Sequence, residues 1–153
     1  MLEGPKGRAI LADRLYGQRG HRQELTMRSD NASIARATYE AYVRKDRGKI
    51  EALLAKDFQF TSPLDNRLDR KTYFERCWPN SANTTGFDFI HCIAFADRVF
   101  VTYEGRNSDG HSYRNTEILT VQNEQVVEVE VYFGWSLPHP AGAGSFIVLA
   151  DKH

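Results

Sequence analysis

Residues 126–133 read V-V-E-V-E-V-Y-F, from Val126 to Phe133. The pattern puts Val127, Val129, Val131 and Phe133 on one face of an extended chain and Glu128, Glu130 and Tyr132 on the other. Strict alternation of this kind marks a strand in a sheet with one packed side and one wetter side. Just upstream, across a turn at Asn123-Glu124, Thr116 to Val121 is a second strand-like run. Further out, Phe87 to Phe95 and Arg98 to Gly105 form a hairpin around Ala96-Asp97, and Ser108-Asp109-Gly110 turns the chain into a strand from Tyr113 to Val121. From residue 87 onward the sequence is therefore all strand.

The first half of the chain is helical in pattern. Ile34, Thr38, Ala41 and Tyr42 recur at helical spacing, with Arg36, Glu40, Arg44 and Lys45 largely opposite, and Asp30 or Asn31 is the expected N-cap. A second short helix after Asp46 and Gly48 carries Ile50, Leu53 and Leu54. Phe58-Gln59-Phe60-Thr61 reads as a strand stopped by Pro63. Asp69 caps a third expected helix with Tyr73, Phe74, Cys77 and Trp78, which Pro79 closes. Helices first and a curved antiparallel sheet afterwards is an α+β plan that usually encloses a pocket.

The 153 residues suffice for one domain with a real core. Residues 1–29 form an expected basic arm, residues 30–137 the domain and residues 138–153 a tail. The arm carries six Lys and Arg residues from Lys6 to Arg28 with only a weak apolar pattern. It reads as a flexible segment, as a targeting or RNA-contacting tail, or as sequence ahead of a natural start at Met27. On the first reading, a chain begun at Met27 should melt at about the temperature of the full chain, because the arm has little apolar surface to bury. A midpoint several degrees lower would show that the arm packs on the domain.

Twenty basic and twenty acidic residues cancel, which leaves no net field to favour nucleic acid or an anionic membrane. No run approaches the roughly 18 apolar residues of a membrane span, and the N-terminus has no signal-peptide stretch. Cys77 and Cys92 make no disulfide framework and no Cys-x-x-Cys motif, so buried reduced thiols in a cytoplasmic protein are expected. Nine Phe, seven Tyr and two Trp are many for this length. Such residues usually build core, and they also line pockets for flat organic ligands.

Three segments, YVRKDRGKIEALLAKDFQFTSP, DRKTYFERCWP and NTEILTVQNEQVVEVEVYFGW, together resemble the SnoaL-like branch of the nuclear transport factor 2-like superfamily. That superfamily includes ketosteroid isomerase and scytalone dehydratase. The resemblance spans roughly residues 31–137. It implies a cone, in which a strongly bent mixed sheet wraps around the long first helix and encloses an apolar cavity open at one end. It also implies homodimers through the outer sheet face, where Phe100 and Tyr132 interleave with Thr102, Glu104, Glu128 and Glu130.

The isomerase's own chemistry does not carry over. Its base carboxylate position, at a strand end just before a proline, is Ser62 here, directly before Pro63. Its tyrosine donor aligns with Thr38; Tyr39 is one residue off and turned about 100° away, and Tyr42 is one turn further on. The second oxyanion-hole position matches Glu117. The dehydratase works with a histidine pair, whereas the domain here offers only His91 and His111.

Glu117 is the first candidate for proton chemistry. Its expected face-mates, Tyr113, Asn115, Leu119 and Val121, make its side the cavity side, where desolvation raises a carboxyl pKa. Pairing with Arg114, Arg106 or a tyrosine hydroxyl is the structural alternative. Asp65, after Ser62-Pro63-Leu64, can stand in for the missing carboxylate or simply make a turn. His91, on the apparent face of Phe87, Phe89, Ile93 and Phe95, is a third candidate or an ordinary rim residue. Asn115 with Tyr42 or Tyr103 would orient a carbonyl, and Phe58, Phe60, Trp78, Val129, Val131 and Phe133 would form the apolar wall. No ligand spacing predicts a metal site, and no G-x-G-x-x-G or P-loop predicts a nucleotide, so no cofactor is expected.

Two functions remain open on this reading. One is a cofactor-independent isomerase, dehydratase or cyclase acting on a compact hydrophobic metabolite. The other is a non-catalytic ligand-binding or dimerisation module of the same fold.

Overall fold

The computed structural model describes residues 30–149, so the expected N-terminal arm lies outside the described residues. Helix α1 covers residues 30–44 and ends at Lys45, whose φ of 57° reverses the chain. Asn31 lies inside this helix rather than capping it, and its amide donates to the Ala96 carbonyl at 3.2 Å. Helix α2 (Arg47–Leu53) starts at Asp46, whose carboxylate accepts from the Lys49 N–H at 2.9 Å. Helix α3 (Arg70–Arg76) starts in the same way at Asp69, which accepts from the Thr72 N–H at 2.8 Å. Pro79 does not close α3. The helix stops at Arg76, and Trp78–Asn83 continues as a 3₁₀ turn with proline in its first positions, where the missing N–H costs no hydrogen bond.

Six strands follow the order β2-β1-β6-β5-β4-β3 in one sheet. They are β1 (Leu54–Ser62), β2 (Asp65–Asp69), β3 (Thr84–Phe95), β4 (Arg98–Asn107), β5 (Ser112–Gln122) and β6 (Gln125–Leu137). β1 and β6 are parallel and every other pair is antiparallel. Strand β2 was not legible in the sequence: Asp65 and Asn66 open a short edge strand rather than remaining in a turn. The β5–β6 turn places Asn123 and Glu124 at φ 50° and 62°, the geometry a two-residue hairpin requires.

Register shifts bend the sheet and re-aim side chains. In β6, Val121 pairs with Val126 while Thr120 pairs with Glu128, so Val127 is the extra residue. The buried set is therefore Val126, Val129 and Val131, not the unbroken series from Val127. Nearer the end of β6, Asn115 faces Phe133 and Arg114 faces Trp135, which leaves Gly134 between them. A Cβ at Gly134 would sit 2.1 Å from the Arg114 carbonyl oxygen, so only glycine allows this approach.

The core lies between the concave face of the sheet and the helices. Ala35, Tyr39, Ile50, Leu54, Phe58, Tyr73, Val99, Val101, Leu119 and Val126 are its centre. No helix among the described residues is long and apolar enough to cross a membrane.

Candidate functional site

The inner face of the cone is incompletely filled, leaving a cavity of about 250 Å³. Strand alternation sets its depth. Along β1 the wall runs from Leu54 through Phe58 and Phe60 to Ser62, and along β5 from Leu119 through Glu117 to Tyr113. Because β1 and β6 are parallel, Ser62 and Phe133 reach the same end. There Leu64, at 83 % exposure, and half-exposed Phe133 mark the mouth.

Glu117 stands in the middle of this wall. One carboxylate oxygen accepts from the Tyr39 hydroxyl at 2.8 Å and the other from the Tyr103 hydroxyl at 2.6 Å. Glu117 is half-buried and lines the cavity. Burial pushes its carboxyl pKa above the usual range, and the hydrogen bonds from Tyr103 and Tyr39 partly oppose the rise. No Lys or Arg among the described residues pairs with it. Arg114 is held by Glu104 and Arg106 by Asp88, both on the outer surface. Burial and the neighbouring Glu117 carboxylate raise the pKa values of Tyr39 and Tyr103, so both remain neutral donors.

Tyr39 is the residue that the sequence reading turned away from the site. The inward stripe of α1 is Ala35 and Tyr39 flanked by Thr38 and Tyr42, and Tyr39 is the more deeply buried tyrosine. Its ring meets Phe87, Phe89 and Tyr103 edge-on at centroid distances of 5.1–5.3 Å, which fixes the direction of its hydroxyl. Thr38 does line the cavity, but its hydroxyl donates to the Ala35 carbonyl at 2.7 Å. The usable signal was the i, i+4 pair Ala35/Tyr39, two uncharged positions each followed directly by a charged one, Arg36 and Glu40.

Of the other expected residues, Tyr42, Phe58, Phe60, Ser62, Asp65, Tyr103, Val129 and Phe133 also line the cavity. Ser62 and Asp65 form a closed turn at the mouth. The Ser62 hydroxyl donates to Asp65 at 2.8 Å and accepts the N–H groups of Leu64 and Asp65 at 3.1 Å. Four residues fall outside the lining. Trp78 stands behind Tyr42, edge-on at 5.5 Å; Val131 is packed in the core; and Asn115 accepts the Gly134 N–H at 3.1 Å.

His91 is the fourth, and its expected face is corrected. A register shift makes Phe89 face Tyr103 but His91 face Thr102, so Ile90 is the extra residue. Phe87 and Phe89 therefore point inward, whereas His91, Ile93 and Phe95 point to the outer surface. Tyr73, Cys77, Asn80 and Phe87 also line the wall without having been expected there from the sequence, and Tyr113 lines it as the expected face-mate of Glu117. Both cysteines are free, and burial pushes the Cys77 thiol up to about 11, which leaves it protonated and a poor nucleophile.

Solved structures share this architecture at low identity. A candidate ketosteroid isomerase from Kribbella flavida DSM 17836 superposes with a TM-score of 0.61 at 14% identity, over 82% of this chain and 93% of its own. An LEH-like epoxide hydrolase from M. tuberculosis gives 0.62 at 13%, covering 71% and 85%. A de novo designed protein with a curved β-sheet gives 0.61 at 10%, covering 70% and 87%. At these identities the likeness is one of fold. No curated protein matches the chain in sequence. A family model for the SnoaL-like domain matches residues 35–129, the stretch from the inner stripe of α1 to the middle of β6, and the chain belongs to that family.

Proposed function

We propose that the protein binds a compact hydrophobic small molecule in the cone and moves a proton on it with Glu117, as a cofactor-independent isomerase, dehydratase or cyclase. The observation that carries this reading is a carboxylate with raised pKa, paired with no cation among the described residues and facing an aromatic cavity. An ionised carboxylate has about four lone-pair positions, and the two tyrosines take two of them. The remaining positions can accept a proton from an acidic C–H of the ligand. Returning that proton to another carbon isomerises the ligand; delivering it to a leaving hydroxyl releases water. Tyr39 and Tyr103 stabilise the carboxylate without ionising. The cavity volume suits a ligand smaller than the usual drug-sized occupant.

Deuterium uptake tests this directly. With the chain alone in D₂O, small ketones with acidic α-hydrogens should exchange faster than in buffer, and the Glu117→Gln variant should lose the enhancement. Equal exchange with and without protein across such a panel would support the non-catalytic module. That each carboxylate oxygen of Glu117 already accepts from a tyrosine hydroxyl is the observation that favours that second reading.

We also propose that two copies associate through the convex sheet face. Register aligns Ile93, Phe100 and Ile118 across β3, β4 and β5, with Tyr132 in the adjacent row. Ile93 and Tyr132 are each more than half exposed, and Phe100 beside Ile93 is more than a third exposed, a large apolar surface to leave wet. Sedimentation at micromolar concentration should give twice the chain mass. A monomeric mass would refute the association.

A further inference from the structure

The charge inside the cavity is one-sided. Among the described residues its lining contains two acids, Glu117 midway and Asp65 at the mouth, and no Lys, Arg or His. Around Glu117 stand the rings of Tyr39, Tyr42, Phe58, Phe87, Tyr103 and Tyr113. Aromatic rings attract cations through their negative faces, and the attraction strengthens where water is excluded. Elsewhere this chain sets cations against rings in that way: Arg36 lies 4.7 Å from the Phe89 centroid, Arg47 3.8 Å from Phe74 and Arg114 5.6 Å from Trp135. Phe89, Phe74 and Trp135 are not in the cavity lining, and among the described residues no such cation covers a ring of the wall.

We infer that the cavity is built for a small organic cation, a protonated amine or alkylammonium on an apolar body, seated among the tyrosine and phenylalanine rings with its positive nitrogen toward Glu117. The inference rests on the reading of the cavity as the ligand site, and it holds whether or not the ligand is turned over. A cationic nitrogen supplies the counter-charge that Glu117 lacks, and it needs no hydrogen-bond partner beyond the carboxylate positions the tyrosines leave free. Its alkyl groups replace the ring contacts that the void withholds. An anionic or acidic ligand would meet two carboxylates and no donor of positive charge.

The test uses a fixed cation, so that the ligand itself does not titrate. Benzyltrimethylammonium and its neutral carbon isostere neopentylbenzene are titrated into the full chain by calorimetry or ligand-observed NMR. At about pH 8, well to the alkaline side of the ordinary glutamate value, the cation should bind roughly tenfold or more tightly than the isostere. Glu117→Gln should remove that preference, so that cation and isostere bind the variant about equally.

The wild-type chain provides a second readout that needs no variant. Preference for the cation should vanish as pH falls through the raised titration of Glu117. The tyrosines of the wall and Cys77 have raised pKa values and stay neutral through that range, so they do not contribute. Asp65 is the other acid, and Asp65→Asn separates its share. Loss of preference in Asp65→Asn with none in Glu117→Gln would overturn the seat at Glu117. An isostere that binds as tightly as the cation would overturn the charge inference and leave the cavity as a ligand site. If neither compound binds, both readings fall.

Discussion

Glu117→Gln should leave the protein folded and reduce any proton-transfer activity by roughly 10²-fold or more, the usual scale for removing a positioned general base. Its effect on stability should depend on pH. Folding raises the pKa of Glu117, so the folded chain holds this proton more tightly than the unfolded chain does. The contribution is therefore favourable below the unfolded carboxyl value of about 4.3 and is lost as pH rises through the higher folded value. Glutamine carries no such penalty. It does accept less well than a carboxylate, and one of Tyr39 and Tyr103 must then reorient, at a cost of about 1 kcal/mol. The variant should be slightly less stable than wild type in acid and should gain on it as pH rises, with the difference levelling off above the folded pKa. Chemical denaturation at several pH values reads this directly. A uniform loss of about 3 kcal/mol would instead be the mark of a broken buried ion pair. Arg114 and Arg106, the two arginines that sequence spacing offered as partners, are held by Glu104 and Asp88.

Phe58→Ala should be the most damaging single truncation in the wall. Phe58 is 1% exposed, meets the Tyr73 ring edge-on at 5.2 Å, and borders the cavity. Removing a buried phenyl ring costs about 3–5 kcal/mol, the amount depending on how far the neighbours collapse into the space. Here the new space joins an existing void lined by stiff aromatic rings, so collapse is limited and the upper half of that range is expected. Urea denaturation of wild type and variant measures the difference. A loss under about 1 kcal/mol would mean that Phe58 does not support the wall.

Much of this architecture was written in local pattern. The turns at Ala96-Asp97 and Asn123-Glu124, the caps Asp46 and Asp69, and the alternation on β5 are short-range signals that packing does not override. The bulges were invisible, because nothing distinguishes Ile90 or Val127 from its neighbours until the partner strand fixes the register. One unrecognised extra residue was enough to move His91 from the inner face to the outer. β2 escaped notice because Asp65-Asn66-Arg67-Leu68-Asp69 has neither β-branched residues nor alternation; its strand state comes from pairing with β1. Glu117 could be found from its strand face. Its partner Tyr39 was missed, because the helical stripe was drawn through Thr38 and Tyr42 rather than through Ala35 and Tyr39, and the direction of its hydroxyl is set by Phe87, Phe89 and Tyr103.

The central claim is that Glu117 is a desolvated carboxylate held by two neutral tyrosines and paired with no cation among the described residues. Its side-chain carboxyl carbon can be followed by ¹³C NMR through a pH titration of the full chain, with Glu117→Gln to assign the resonance. The account predicts a midpoint clearly above the ordinary glutamate value of about 4.3, shifting lower when a bound organic cation occupies the cavity. A midpoint at or below that ordinary value would mean that Glu117 is solvated or paired with a positive group, and it would contradict the proposed site.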